Sequence, residues 1–204
     1  MQSAQSEVNL GFTDEIFPEG THICQVYADD EEREEAILKY ILSGVKGQER
    51  TACFTDKTGQ EKVSTFFAEH NCCCSSAQEH GNLLMSGAQD VYFEGDEFNP
   101  DRMLKLLTEF YESSKADGKR ARVIGEMDPK IHTVAGGNRL FEYEARVSQL
   151  LRTHPVTSVC QYNASEFDGK TIMDVLKVHP LMIVRGTVVR NPFFVEPEEF
   201  LASI

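Results

Sequence analysis

Short apolar runs alternate along this chain with longer stretches whose apolar residues recur at helical spacing. His22–Tyr27 (HICQVY), Arg50–Thr55 (RTACFT), Leu83–Ser86 (LLMS), Ala121–Asp128 (ARVIGEMD) and Val156–Tyr162 (VTSVCQY) read as strands. Runs of about four to eight residues, rich in apolar and β-branched side chains and bounded by turn signals, suit a sheet buried on both faces. Between them, Ile37, Leu38, Ile41, Leu42 and Val45 form one face of a helix capped by Asp29 or Asp30. The glutamates that follow suit the positive end of its dipole. Val63, Phe66 and Phe67 mark a short helix. Asn99-Pro100 is a strong helix start, with Asn as cap and Pro at the first position, where its missing N–H costs nothing. Met103, Leu104, Leu107, Phe110 and Tyr111 then give that helix a buried face, and Asp117-Gly118 stops it.

The stretch from Ala121 to Tyr162 organises the rest: a strand, a Gly-Gly-Asn break, the helix RLFEYEARVSQLL and a second strand. Asp168 or Ser165 starts another helix with Ile172, Val175 and Leu176 inward, ending at His179-Pro180. Leu181–Val184 and Thr187–Val189 flank Arg185-Gly186 as a terminal β-hairpin, and VEPEEFL is a tail with one helical turn. Residues 1–20 read as an irregular lead-in, HNCCCSSAQEHGN as a loop and DVYFEGDEF as an acidic, aromatic connection. Strands that alternate with helices predict an α/β fold: a mainly parallel sheet with helices on both faces and a C-terminal β-hairpin. The expected organisation is an N-terminal arm over residues 1–19 and one domain over 20–204, with no repeat or linker to divide it.

Composition changes this picture mainly by exclusion. At 41% hydrophobic and 26% charged the chain is ordinary for a globular protein. Its net charge of −13 argues against nucleic acid or an anionic membrane surface as partner. No apolar run approaches the ~20 residues that span a bilayer, and MQSAQSEVNLGF lacks the basic and apolar regions of a signal peptide. The expectation is a cytoplasmic protein whose six cysteines, 24, 53, 72, 73, 74 and 160, are reduced.

Candidate chemistry gathers at the strand ends, because open α/β sheets bind ligands beyond the carboxyl ends of their strands. A phosphate cradle is not part of it: no G-x-x-x-x-G-K-[ST] occurs, and the turn after HICQVY is Ala-Asp-Asp-Glu-Glu, whose carboxylates would repel phosphate. Gly136-Gly137-Asn138-Arg139 reads as a flexible turn with an Asn cap rather than an anion site. Glu126 and Asp128 end a buried strand and suit acid/base or metal work, but capping a helix or pairing with arginine explains them as well. Glu142, Tyr143 and Glu144 read as a solvated face plus one packed tyrosine, since i and i+2 do not share a helical face.

His22 and Cys24 share a strand face, as do Cys160 and Tyr162, and the two pairs would line a soft, partly polar pocket if their strands are neighbours. The simpler alternative is that the cysteines are small core residues. His179 reads as a helix C-cap whose protonated imidazole suits the dipole. Cys72, Cys73 and Cys74, with His70 and His80 nearby, offer soft ligands for zinc or copper(I). Consecutive cysteines, however, converge poorly on one tetrahedral ion, so incidental or redox-active thiols fit better.

Several separated motifs, GTHICQVY, RVIGEM, LFEYEARV, SVCQYNASEF, VLKVHPLMIV and RNPFFVEPEEFL, occur in this order from about Gly20 to Leu201. Together they resemble the MEDS domain, the sensory domain of methanogen and methylotroph signalling proteins and of a dichloromethane-responsive regulator. The resemblance implies a RecA/KaiC-like fold that lacks a P-loop and serves to sense small hydrocarbon derivatives rather than to hydrolyse nucleotide. In one departure, the run GEMDPKIH lacks the aromatic residue that the family often places shortly after GEM. The expected function is therefore a non-catalytic sensory domain without a cofactor. It would bind a small, largely apolar organic molecule through His22, Cys24, Tyr27, Glu126, Tyr143, Cys160 and Tyr162. A signalling partner (a kinase or transcription regulator) or a fused output domain would read the change, and a homodimer is compatible with it. Two alternatives stand beside this reading: a thiol- or metal-dependent enzyme using Cys160 or the Cys72–Cys74 run, and an interaction module with no ligand.

Overall fold

A computed structural model of the chain describes residues 6–204. Residues 1–5, the start of the expected arm, lie outside the described residues. The predicted strands are all present: β1 (His22–Tyr27), β2 (Arg50–Phe54), β3 (Leu83–Ser86), β4 (Ala121–Glu126) and β5 (Val156–Asn163). The hairpin adds β6 (Leu181–Val184) and β7 (Thr187–Arg190). They form one seven-stranded sheet in the order β7-β6-β1-β5-β4-β2-β3. Every pairing is parallel except that of β7 with β6. Register places Cys24 beside Cys160, Gly125 beside Cys160, and Glu126 beside Gln161.

Alternation along the strands sends odd and even residues to two different cores. Ile23, Cys53, Ile124 and Val159 face α1 (Asp30–Lys46), α2 (Gln60–Glu69) and α3 (Cys74–Glu79). Cys24, Ala121, Val156 and Tyr162 face α4 (Ala88–Tyr92), α5 (Pro100–Ala116), α6 (Leu140–Leu150) and α7 (Gly169–Val178). A last helix, α8 (Pro197–Ala202), packs Phe200 against Ala145 of α6 and Val178 of α7. The caps follow the sequence: Asp29 accepts from the Glu31 amide, Asn99 from those of Asp101 and Arg102, and Asp168 from that of Thr171. On α1, Ile37 and Ile41 are fully buried, each side chain contributing about 1.5–3 kcal/mol of burial.

Four local readings are corrected. The cysteine-rich loop contains α3, which forms because Cys74 and Ala77 turn inward onto the first core. The acidic connection holds α4 and a ribbon, Phe93–Glu94 with Glu97–Phe98, which tucks both phenylalanines into the second core. The lead-in contains a ribbon of Glu7–Asn9 and Ile16–Pro18 that buries Val8, Leu10 and Phe17 beside α1. Gly11 allows it: at φ +87 it lies against the Lys39 carbonyl, where a Cβ has no room. Asn138 caps nothing: Gly137–Arg139 is a 3-10 turn that leads into α6 without a side-chain cap.

Candidate functional site

The structure divides the seven expected ligand residues between the two faces of the sheet. Tyr27 and Glu126 meet at the carboxyl ends of the strands, on the α1 side. His22, Cys24, Tyr143, Cys160 and Tyr162 lie on the opposite face, under α5, α6 and α7. Period-two alternation causes the split: Tyr27 lies three residues from Cys24 on one strand, so their side chains leave it in opposite directions.

At the strand ends, charge fills the crevice where a RecA-type fold would place phosphate. Only Ala28 and Asp29 connect β1 to α1, too short for a glycine-rich cradle. Glu126, 4% exposed, is the hub. One carboxylate oxygen accepts from the Tyr27 hydroxyl at 2.7 Å and lies 3.0 Å from Lys57 Nζ, while the other accepts from Thr55 Oγ1 at 2.9 Å. Arg33, wholly buried, approaches at 3.9 Å and is held by Asp30 and Thr58. Burial, then the bond to Glu126, pushes the Tyr27 phenol far above its ordinary value, so it remains a donor. Asp128 caps the 3-10 turn Pro129–His132 by accepting from the Lys130 amide. Each carboxylate has the helix-capping or ion-pairing role that the sequence allowed. The space left beside them is about 130 Å³, and its lining includes the charged residues Asp56, Lys57, Glu126, Asp128 and Glu166.

Across the sheet lies a cavity of about 350 Å³ between β2, β4 and β5 on one side and α4, α5 and α6 on the other. Val123 and Cys160, in the middle of central strands, keep exposed area because the cavity reaches them. Leu107 and Phe110 of α5 and Val147 of α6 close its apolar walls. Its polar lining consists of the Cys160 thiol, Ser86, Ser158 and the tyrosines Tyr92 and Tyr143, together with the charged residues Asp90, Arg102 and Glu109. Neither tyrosine hydroxyl makes a hydrogen bond within the protein among the described residues. Burial pushes both phenols well above their ordinary value, so they are neutral donors. Gly125 is required here, because a Cβ would occupy the space of the Tyr92 hydroxyl.

Behind Cys160, the walls hold a cluster that sequence reasoning missed in part. Glu144, expected on a solvated face, is 1% exposed. It accepts from the Tyr162 hydroxyl at 2.6 Å with one oxygen. The other oxygen lies 3.4 Å from His22 Nε2, 3.6 Å from His179 Nε2 and 3.8 Å from Cys160 Sγ. Two helical residues only one position apart thus serve different sites, Tyr143 the cavity and Glu144 the cluster. Helical spacing held the signal, since Glu144 lies four residues after Leu140 and three before Val147 on the face those two mark.

His179 is the C-cap residue of α7, as expected, but in a different state. It is fully buried, and burial, then the neighbouring His22, pushes it down to about 3. The ring is neutral and donates from Nδ1 to the Val175 carbonyl at 2.8 Å. Burial pushes the Glu144 carboxyl up, but the adjacent His22 and His179 rings and the Tyr162 hydroxyl bring it below the usual range. Burial, then the charge on Glu144, keeps the Cys160 thiol protonated and unreactive in this form, and Cys24 is pushed up to about 12 by the same two causes.

The Cys72–Cys74 run is not brought together. Cys73 is exposed, whereas Cys74 is buried in the core and its sulfur accepts from the Gln60 side-chain amide at 3.3 Å. His70 and His80 each contact a carbonyl of their own helix, those of Phe66 and Ser76.

Comparisons with known proteins bear on the family and the fold. Residues 21–180 match the family model described as MEDS, the methanogen/methylotroph, DcmR sensory domain. The chain is 25% identical over 162 residues to the transcriptional repressor DcmR of Methylorubrum extorquens, covering 78% of this chain and 57% of that protein. It therefore spans little more than half the length of that curated relative. In fold it is similar to the flagellar accessory protein FlaH of Methanocaldococcus jannaschii, at a TM-score of 0.65 and 11% identity, over 91% of this chain and 84% of that one. It is also similar to a KaiC-like protein of Pyrococcus horikoshii, at a TM-score of 0.60 and 15% identity, over 88% and 80% of the two chains. No helix among the described residues is long and apolar enough to cross a membrane. With a P-loop-less RecA/KaiC-like sheet and a family match across most of its length, this chain belongs to the MEDS family of sensory domains.

Proposed function

We propose that the chain senses a small organic molecule, largely apolar with one polar atom, bound in the cavity between the sheet and α4, α5 and α6. The observation that carries this reading is the cavity itself: about 350 Å³, walled by aliphatic and aromatic side chains, with two unpartnered tyrosine hydroxyls. Pockets of this kind bind ligands by burying apolar surface, while a few polar groups set orientation. Tyr92 and Tyr143 would donate to a hydroxyl, carbonyl or halogen, leaving the rest of the molecule against Val123, Leu107 and Val147. The strand-end crevice is a poorer site, because Glu126 is already satisfied by Tyr27, Thr55 and Lys57.

Occupancy would favour the arrangement of α4 and α5 that fits the ligand, and a regulatory partner or an attached output domain would read the difference. The relative DcmR is a transcriptional repressor, which supports a regulatory output of this sort. Catalysis has no role in this reading.

Thermal shift with a panel of short alcohols, ketones and haloalkanes tests it. A ligand at about 100 times its Kd adds about 2.7 kcal/mol, which raises Tm by roughly 5–10 °C for a domain of this size. Val123→Phe and Leu107→Trp fill the cavity and are expected to fold yet lose that response. A wild-type protein indifferent to the whole panel, or filled variants that respond equally, would refute the assignment.

A further inference from the structure

We propose that His22, Glu144, Cys160 and His179 form a binding site for a divalent metal ion, with zinc the best match. The four ligand atoms lie within 4.8 Å of one another, and this is the one such group among the described residues. Metal–ligand bonds of about 2.0–2.3 Å give a tetrahedron with edges of about 3.3–3.8 Å. Four of the six edges have that length: 3.4 Å from His22 Nε2 to Glu144 Oε2, 3.6 Å from His179 Nε2 to Glu144 Oε2, 3.6 Å from Cys160 Sγ to His22 Nε2 and 3.8 Å from Cys160 Sγ to Glu144 Oε2.

Hydrogen bonds behind the ligands fix the orientation a metal needs. The Val175 carbonyl can only accept, so His179 Nδ1 carries the proton and Nε2 presents its lone pair to the cluster. That Nε2 is buried and has no hydrogen-bond partner, and it faces a carboxylate oxygen, an arrangement that is repulsive unless a cation lies between them. The Ser148 hydroxyl donates to the Val178 carbonyl at 3.2 Å, which leaves it to accept from His22 Nδ1 at 2.8 Å and turns the His22 Nε2 lone pair inward as well. Tyr162 holds the second Glu144 oxygen. Metal-ligating histidines carry such partners on the other ring nitrogen, and ligating carboxylates are hydrogen-bonded in turn.

Charge also balances. Binding would release the Cys160 thiol proton to solvent, and thiolate plus carboxylate neutralise a divalent ion, so the buried site carries no net charge. Two imidazoles, one carboxylate and one thiolate suit zinc better than copper(I), which prefers softer sets, or magnesium, which prefers oxygen. With four protein ligands the site is closed, so its role is structural. It joins β1, β5, α6 and the end of α7 at the back wall of the cavity, through Cys160, which lines both. The proposal stands whether or not the cavity takes an organic molecule.

Elemental analysis of protein purified without chelators, with cobalt(II) substitution, tests it. The expected result is about one zinc per chain, a lower Tm after chelation, and a cobalt form with a thiolate-to-metal charge-transfer band. Cys160→Ser should abolish that band, whereas changing Cys72, Cys73 and Cys74 together to Ser should leave it and the metal content unchanged. Because a ligand variant could fail to fold, the wild-type cobalt titration decides alone. No metal uptake by the folded wild-type protein, or a band that vanishes only with the Cys72–Cys74 variant, would overturn the proposal.

Discussion

Arg122→Met is expected to destabilise the fold by about 3–5 kcal/mol, seen as a lower urea midpoint at an unchanged m-value. Arg122 lies on β4, wholly buried, yet its guanidinium is fully employed. Nε donates to Glu49 at 2.6 Å, and the two terminal nitrogens donate to the Tyr40 and Asn9 carbonyls, each at 3.1 Å. Its flat face lies 4.8 Å from the centre of the Tyr40 ring. One side chain thus ties the sheet to α1, to the turn before β2 and to the N-terminal ribbon. Methionine fills much of the volume but gives up the bonds to both carbonyls and leaves Glu49, 2% exposed, with Arg120 at 3.2 Å as its remaining ion-pair partner among the described residues. Loss of one partner of a buried pair is costly because the other charge stays desolvated. Adding Glu49→Leu should therefore recover a large part of the loss, a coupling that a double-mutant cycle measures. A single-variant loss below about 1 kcal/mol, the level of an exposed pair, would refute this account.

Glu126→Gln is expected to cost about 3 kcal/mol while leaving the ligand response intact. The amide matches the carboxylate in shape but offers one acceptor oxygen instead of two. Tyr27 and Thr55 can turn their hydroxyls to accept, but Lys57 at 3.0 Å and Arg33 at 3.9 Å cannot. Whichever way the amide faces, its NH₂ meets a cation. The cavity lies across the sheet, so the Tm increment from a bound organic molecule should match the wild type. A stable variant that no longer responds would instead move the ligand site to the strand ends.

Several features of the fold could be read directly from the chain. The β1, β4 and β5 segments are near-continuous apolar runs because both of their faces are covered, and α1, α5 and α7 announce themselves through Asp29, Asn99 and Asp168 at their starts. The missing phosphate cradle was legible from Asp29–Glu32 alone. The small elements were not: α3, α4 and the two ribbons are too short for periodicity to show, and tertiary burial of Cys74, Tyr92, Phe98 and Leu10 makes them form.

The candidate site was half legible. His22, Cys24 and Cys160 were singled out because they share a strand face, and the Cys24–Cys160 register of β1 and β5 brings them together. Glu144 and His179 escaped as members of that group. A glutamate on an amphipathic helix usually faces water, and a histidine before proline usually caps.

By itself the sequence determined the alternation of strand and helix, the capped starts of the long helices and the acidic turn in place of a phosphate loop, since each depends on neighbours within a few residues. Tertiary structure alone decided that Tyr27 and Glu126 stand on one face of the sheet and Cys160 and Tyr143 on the other. It also decided that a space opens under α5, and that Glu144 is drawn in to face His22 and His179. Those outcomes depend on strand order and helix placement, which bring together residues more than a hundred positions apart, such as His22 and Ser148. A local pattern of apolar and polar residues carries no record of which distant segment will pack against it.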